Sequence, residues 1–408
     1  MIGAGLAGLA AAVRLTEKGF RVTVSEAAKR AGGRCRSYRD PQLGLVIDNG
    51  NHLVLSGNRS VNAFLATIGA SDRLIGPDEA RFPFIDLRDG QRWTLRPNAG
   101  RVPWWVLQPS RRVPDTRLRD YLPLRSLIGA DRARKVGDLI PTSGPLWDRL
   151  IAPLFVAALN TSAASGSAAL AGAIIAETLG QGGRASMPRI ASPTLAAAFI
   201  DPAIAWLERY GATIHLGRRL RALDVTEDRI STLRFAEAEH TLTPGDVVVL
   251  AVPSWDAATL LPTLSVPTAH HAIVNAHFRM TPPAGAEPIM ALIGGTAEWV
   301  FALPDRISTT TSAADHLDGE DREALARRIW AEVARAHDLS GPMPPWQIVR
   351  ERRATFAATP EQDRLRPAAA ATGLANLWLA GNWTQTGLPA TIEGALRSGE
   401  TAANLANL

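Results

Sequence analysis

Gly3-Ala4-Gly5-Leu6-Ala7-Gly8 opens the chain at the G-x-G-x-x-G spacing, whose chemistry is to bring backbone amides against a pyrophosphate. The first glycine permits a tight turn, the second lets phosphate reach the backbone, and the third lets a helix pack on a strand. Gly/Ala-rich turns are common, so the spacing alone is weak. The next twenty residues strengthen it. Ala12, Leu15 and Gly19 fit a helix packed on a sheet and closed by a glycine. Phe20 to Val24 alternates as a strand, and Glu26 closes it about 20 residues downstream, where a carboxylate takes ribose hydroxyls. A carboxylate there repels a 2′-phosphate and disfavours NADP. A dinucleotide fold is predicted.

The second candidate lies at the far end, in Leu379-Ala380-Gly381-Asn382-Trp383-Thr384 and the following Pro389-Ala390-Thr391-Ile392. Pro389 suits a first helical position, because its missing N–H would have been unpaired there. Ala390, Thr391 and Ile392 would then present free amides at the positive end of a helix dipole. Aimed at the N1/C2=O edge of a flavin, they would stabilise the anionic reduced ring. A plain strand–turn–helix packing element is the alternative. Co-occurrence with the N-terminal glycines favours FAD.

These residues must be positioned by elements far apart in the chain. Residues 1–75 read as the opening βαβ unit with a strand-turn around Val46–Leu55. Ala203–Tyr210 reads as a helix ended by Gly211, Thr213–Leu216 as a strand, and Arg219–Val225 with Arg229–Phe235 as a hairpin. Asp246–Val252 is Val-rich and almost uncharged, as buried parallel strands are. Residues 76–200 are rich in Pro, Arg and Trp and then in Ala. The region 256–345 includes a helix over Glu320–His337 with Leu325, Ile329 and Val333 in one stripe. The expected architecture is α/β, with an α+β substrate domain. A Rossmann-like FAD-binding domain of 1–75, 201–255 and 346–408 is interleaved with a substrate-binding domain of 76–200 and 256–345. Only Met1 and Ile2 precede Gly3, so either the central strand is cut short or the true start lies upstream.

At 408 residues, 46% hydrophobic and 20% charged, the chain can bury a sizeable core in two domains. The single cysteine, Cys35, excludes an intramolecular disulfide and suits a reducing compartment. Met1 to Val13 are uncharged, but a secretory signal needs its basic residues before the apolar run, and Arg14 comes after it. No apolar run reaches the roughly 18 residues needed to span a bilayer. The chain has no H-E-x-x-H, C-x-x-C or G-x-S-x-G, so no metal site or nucleophile elbow is expected. From Arg81 to Lys135 stand 13 basic and five acidic residues, with Trp93, Trp104 and Trp105 among them. Two readings stay open: contact with an anionic membrane, or an ordinary solvated surface with the tryptophans in the core. No nucleic-acid motif accompanies the charge. The expected location is cytoplasmic, with the inner face of the cell membrane as the docking surface under the first reading.

Gly32-Gly33-Arg34, Asp48-Asn49-Gly50-Asn51-His52 and the segment Leu379–Gly399 together resemble the FAD-dependent amine oxidase and phytoene desaturase superfamily. Ala157–Thr161, Gly182-Gly183-Arg184, Leu250–Pro253, Arg352–Phe356 and Thr386–Gly394 are similar to its squalene-associated branch, the hydroxysqualene dehydroxylases of bacterial hopanoid synthesis. The resemblance covers nearly the whole chain. It implies that Gly3, Gly5, Leu6, Ala7 and Gly8 hold the pyrophosphate, and Glu26 the adenosine ribose. Gly33 and Arg34 would lie along the diphosphate, Leu220 would meet adenine through its backbone, and Gly50 and Asn51 would border the cofactor. Gly381 and Asn382 would meet the phosphate and ribityl chain, and Thr391 and Ile392 the flavin. Related proteins more often have an acid where this chain has Asn382.

The implied reaction is reductive. Hydride passes from reduced flavin N5 to an allylic carbon of a C30 alcohol as its hydroxyl leaves as water, giving squalene. That needs an apolar slot, an electron donor for the flavin, and a proton donor. His52 is the first candidate donor; a hydrogen-bonded structural histidine is the alternative. Glu393 also lies nearby, but a carboxylate in a first helical turn has a structural reason to be there. The Ala-rich stretch 151–180 could line a slot for the hydrocarbon. A polyene desaturase, an amine oxidase using an aromatic cage, and a non-catalytic flavin-binding protein are the competing functions. The last is suggested by the short first strand and by Asn382.

Overall fold

The computed structural model describes residues 1–406. Its first layer is a parallel sheet in the order Thr213–Leu216, Thr23–Glu26, Ile2, Val248–Leu250 and Leu377–Leu379. The central member is one residue long, yet its backbone is fully paired. Ile2 donates to Val249 O at 2.9 Å and accepts from Ala251 N at 2.7 Å. On the other side Gly3 donates to Ser25 O at 2.8 Å, and Ser25 to Met1 O at 2.9 Å. Buried backbone groups need partners, and here every one has one.

Helix Leu6–Glu17 follows at once, buried from Leu6 to Val13. The last helix, Ile392–Leu405, lies along it so closely that a Cβ on Gly399 would stand 2.2 Å from Ala7 O. Only glycine allows that approach. Helix Asp201–Arg209 and the wide turn Ala196–Ile200 before it bury Ala198, Phe199, Ile200, Ala203 and Leu207 in the same core. Residues 196–200 therefore join the nucleotide layer rather than the inserted domain.

The second layer is a seven-stranded sheet. Its order is Trp346–Phe356, His270–Phe278, Arg306–Thr311, Trp299–Leu303, Ile289–Ile293, Phe82–Asp86 and Arg92–Leu95. The strand Trp346–Phe356 pairs antiparallel with His270–Phe278 from His270↔Phe356 to Phe278↔Trp346. This overturns its expected place in the nucleotide domain. Eleven residues of strand find their ladder in the second sheet, and the chain returns to the first only at Leu377.

Helix Arg322–Ala336 covers one face of this sheet with Leu325, Ile329 and Val333, all fully buried. Val274, Ala276, Phe278, Val300 and Ile307 pack beneath it. By strand alternation, Asn275, His277, Ser308, Thr310, Trp299 and Phe301 face away from it. That second face is divided. Its polar half meets the nucleotide layer, and its aromatic half, with Phe84 and Trp93, meets two helical segments.

Those segments are Trp147–Leu159, a wide π turn running into an α-helix, and Ala168–Glu177. They are apolar on nearly every side, the pattern of a fully enclosed helix. Leu154, Val156, Ala157 and Ile174 nevertheless remain half-buried. Among the described residues no helix is long and apolar enough to cross a membrane.

Candidate active site

The turn after Ile2 is shaped by its glycines. Gly3 has φ +101°, and a Cβ there would stand 2.5 Å from Ala251 O. On Gly8 it would stand 2.0 Å from Gly3 O, so any side chain would push helix from turn. Gly5 differs: a Cβ there would meet nothing within 4 Å. Gly5 is also the N-cap of helix Leu6–Glu17 and supplies no side-chain cap, so the first helical amides face this open space. A cradle left open at the positive end of a helix fits a diphosphate.

Gly32 and Gly33 close on the same point. Gly32 donates to Ala4 O at 2.8 Å, and a Cβ on Gly33 would lie 3.4 Å from Gly5 Cα. Glu26 stands at the sheet edge with its carboxylate held by Ala4 N at 2.7 Å and Ala28 N at 2.8 Å. Arg218 N donates to Glu26 O at 2.8 Å, which brings the start of the hairpin, Leu220, to that edge.

Arg34 joins the two ends of the chain. Its guanidinium donates to Ala354 O at 2.6 Å and to Asn382 Oδ1 at 3.0 Å. Asn382 thus supplies an uncharged acceptor to an arginine already short of solvent, whose ionisation burial disfavours. The substitution that set this chain apart in sequence has a local partner.

The C-terminal turn corrects one expectation. Helix Ile392–Leu405 starts later than Pro389: Thr391 is the N-cap, and its hydroxyl accepts from Gly394 N at 3.0 Å. Pro389 and Ala390 lie in the turn before it. Trp383 is buried and donates its indole N–H to Val252 O at 2.9 Å, so it cannot cage a ligand. Glu393 turns away from the site. Its carboxylate accepts from Ser60 N at 3.1 Å and Val61 N at 3.0 Å, capping helix Arg59–Thr67, and it pairs with Arg397 at 3.2 Å.

Gly50 and Asn51 border the polar half of the second sheet. Asn51 donates from Nδ2 to Thr309 O at 3.1 Å and Thr310 Oγ1 at 3.2 Å, so its side chain fastens the two layers. Asn275 Nδ2 is buried beside Gly50 without a partner. His52 follows, half-buried. Burial first, and then the positive charge of Arg34, push its imidazole down to about 4. At neutral pH it is therefore uncharged, so as a candidate donor it would act as a neutral imidazole. It can still offer a neutral N–H.

The residue that sequence reasoning missed is Arg366. It is 2% exposed and donates to Thr384 O at 2.9 Å, Asn382 O at 3.2 Å, Thr386 Oγ1 at 2.8 Å and Asp363 Oδ1 at 3.0 Å. Its face lies 4.8 Å from the centre of the Phe356 ring. One buried guanidinium thus shapes the whole Asn382–Thr386 turn. Nothing in its neighbourhood in the chain, Leu365-Arg366-Pro367, signals this in an arginine-rich protein. Asn160 and Thr161 act similarly: Asn160 donates to His271 O at 3.1 Å and Thr355 Oγ1 at 2.9 Å, and Thr161 Oγ1 accepts from Ala358 N at 2.8 Å.

The aromatic half of the second sheet packs as a buried apolar cluster. Phe84 stacks on Trp93 with ring centres 5.2 Å apart and meets Trp299 edge-on at 6.2 Å. Leu150, Phe155 and Ile175 of the apolar helices complete the cluster.

Residues 6–407 match the family described as flavin containing amine oxidoreductase. The chain is 52% identical to the hydroxysqualene dehydroxylase of Sinorhizobium fredii, over 100% of this chain and 97% of that one. It is 52% identical to the hydroxysqualene dehydroxylase of Rhodopseudomonas palustris, over 99% and 97%. A putative protoporphyrinogen oxidase from Exiguobacterium shares its fold, with a TM-score of 0.69 at 18% identity over 99% of this chain and 97% of that one. The chain belongs to the flavin-containing amine oxidoreductases, FAD-dependent enzymes, and within them to the hydroxysqualene dehydroxylase branch.

Proposed function

We propose that the protein removes the hydroxyl group of hydroxysqualene reductively, giving squalene for hopanoid synthesis. The observation that carries this reading is full-length identity of about one half to relatives bearing that name. The open cradle at Gly5 and the half-buried apolar helices are what such a reaction needs. Bound and reduced, FAD supplies the hydride for the allylic carbon. The C–O bond breaks, and the hydroxyl leaves with one proton as water. An electron donor must return two electrons after each turnover.

The chain's own part is positioning and exclusion of water. Gly5 and the first amides of its helix would hold the diphosphate, and Thr391 and Ile392 would border the ring. A reaction of this kind needs water kept from the reacting carbon and a proton for the leaving oxygen. His52, neutral beside Arg34, is the hydrogen-bond donor we assign to that oxygen.

Two of the competing readings lose their motives. Of the three tyrosines, Tyr210 is 60% exposed, Tyr121 is buried against Trp105, and Tyr38 stands half-buried on the strand Ser37–Arg39 paired with Val46–Asp48. Ile2 is fully paired and Asn382 is held by Arg34, so neither implies an inactive flavoprotein. Anaerobic incubation of the FAD-loaded protein with hydroxysqualene and dithionite, followed by lipid extraction and mass spectrometry, should yield squalene. Unchanged hydroxysqualene, or a more unsaturated product from a polyene under oxidising conditions, would overturn the proposal.

A further inference from the structure

The segment from Arg101 to Ile128 carries apolar side chains on its outside as well as its inside. Inside, Trp105 meets Tyr121 edge-on at 5.6 Å, with Val106, Val113 and Leu127 buried alongside. The Tyr121 hydroxyl accepts from Val113 N at 3.1 Å. These contacts hold the short turns Trp104–Leu107, Leu118–Tyr121 and Leu122–Leu127 in one lobe. Outside it are Val102, 74% exposed, Leu107, 59% exposed, and Leu122, 55% exposed, together with Trp104, Leu118 and Ile128. Single exposed apolar residues need no explanation; six in one lobe do.

The lobe is also basic. Arg101, Arg111, Arg112, Arg117, Arg119 and Arg125 face only Asp115 and Asp120, a net charge of +4. Asp115 is taken by Arg149 at 2.9 Å and Asp120 by Arg119 at 3.8 Å. Among the described residues the lobe's other five arginines make no ion pair, and the Arg111 guanidinium lies 5.0 Å over the exposed Trp104 ring. Trp93 and Trp105, which the sequence grouped with Trp104, are buried. Beneath the lobe, a Cβ on Gly172 would stand 1.8 Å from Leu127 O, so the lobe presses on the apolar helix Ala168–Glu177.

We propose that this lobe docks the protein on an anionic phospholipid bilayer and sets the two apolar helices beside the membrane. The inference rests on the apolar-substrate reading above, because a water-insoluble C30 molecule must be collected from lipid. Charge complementarity chooses the occupant. A second copy would bring the same +4 against it, whereas an anionic surface attracts every arginine in it.

The test is sedimentation of the FAD-loaded protein with sucrose-loaded vesicles, one set of phosphatidylcholine and one containing phosphatidylglycerol. It uses no substrate, so it can fail while squalene formation in detergent survives. The unmodified protein should bind the anionic vesicles at least about tenfold more strongly, and less so as salt rises. Replacing Arg101, Arg117, Arg119 and Arg125 by Glu should abolish that preference. Replacing Trp104, Leu107, Leu118 and Leu122 by Ser should weaken binding at low and high salt alike. Both variants should keep their FAD absorbance and their activity on detergent-dispersed substrate. Equal binding to both vesicle types, or unchanged binding by both variants, would overturn the proposal. So would a dimer in light scattering that the Ser variant dissociates, which would make the lobe an interface between copies.

Discussion

The two turns proposed to hold the cofactor are built on opposite principles. The N-terminal turn is shaped by what it lacks: Gly3 and Gly8 leave no room for a side chain, and Gly5 leaves room for a ligand. The C-terminal turn is shaped by what reaches into it. Arg366 satisfies two backbone carbonyls and one hydroxyl there from outside the motif, while anchored on Asp363. A turn built on absent side chains is local and repeats at a fixed spacing. A turn held by a distant buried cation has no spacing to recognise.

The contrast can be broken first at its buried cation. Arg366→Met removes the donor to three turn acceptors and leaves Asp363 to Arg132 alone at 2.9 Å, and each buried acceptor left unpaired costs about 1–3 kcal/mol. We expect a large fall in melting temperature and loss of the flavin's visible absorbance, with Arg366→Lys recovering part of both. Normal FAD content in Arg366→Met would show that the turn holds itself.

The next effect follows pH. His52 sits beside Arg34, the residue that ties the two ends of the chain together, with its imidazole at about 4, below the ordinary 6.5. A base lowered on folding stabilises fully above pH 6.5, and that stability drains away as pH falls through 4. The loss by then is at most about 3 kcal/mol. His52→Gln should therefore flatten the fall in denaturant midpoint between pH 7 and pH 4.5. Identical slopes for the two proteins would place the acid sensitivity elsewhere.

Gly399→Ala probes the seam where the helices behind the two turns touch. Its methyl group would meet Ala7 O and Ala11 N, and such overpacking costs about 1–3 kcal/mol. Chemical denaturation of the apoprotein measures it directly; no change would mean the helices slide apart freely. The smallest expected effect on stability is at Gly5. With nothing within 4 Å and φ at −76°, Gly5→Val should leave the apoprotein within about 0.5 kcal/mol of the parent. Its FAD should nevertheless be lost, because the side chain fills the diphosphate's place. Stoichiometric FAD in this variant would remove the cradle from the account.

Much of the nucleotide layer is legible in the order of residues. Thr213–Leu216 is a strand as read, the helix Asp201–Arg209 ends just before Gly211, and in the second layer the helix Arg322–Ala336 carries the expected stripe. These are elements whose signal is local: periodicity, caps and glycines. The illegible parts share one cause. The strand Trp346–Phe356 has the same pattern whichever sheet accepts it, and only the ladder with His270–Phe278 assigns it. Pro389 could start a helix, but Thr391 caps it better because a hydroxyl accepts from Gly394 N and proline has no side-chain acceptor.

The order of types along the chain was enough to determine a dinucleotide-binding βαβ unit and a flavin-type C-terminal turn; the branch of flavoproteins came from the resemblance of whole segments to a known family. The unit and the turn depend on residues a few positions apart, where geometry is set by the backbone itself. Tertiary structure alone decided that Arg34 would hold Asn382 and that Glu393 would cap another helix. It also decided that His52 would sit uncharged, and that Trp104 would face water while Trp93 and Trp105 are buried. Each outcome depends on which distant group arrives beside the side chain. Charge, burial and hydrogen bonding act through space, whatever the separation in sequence.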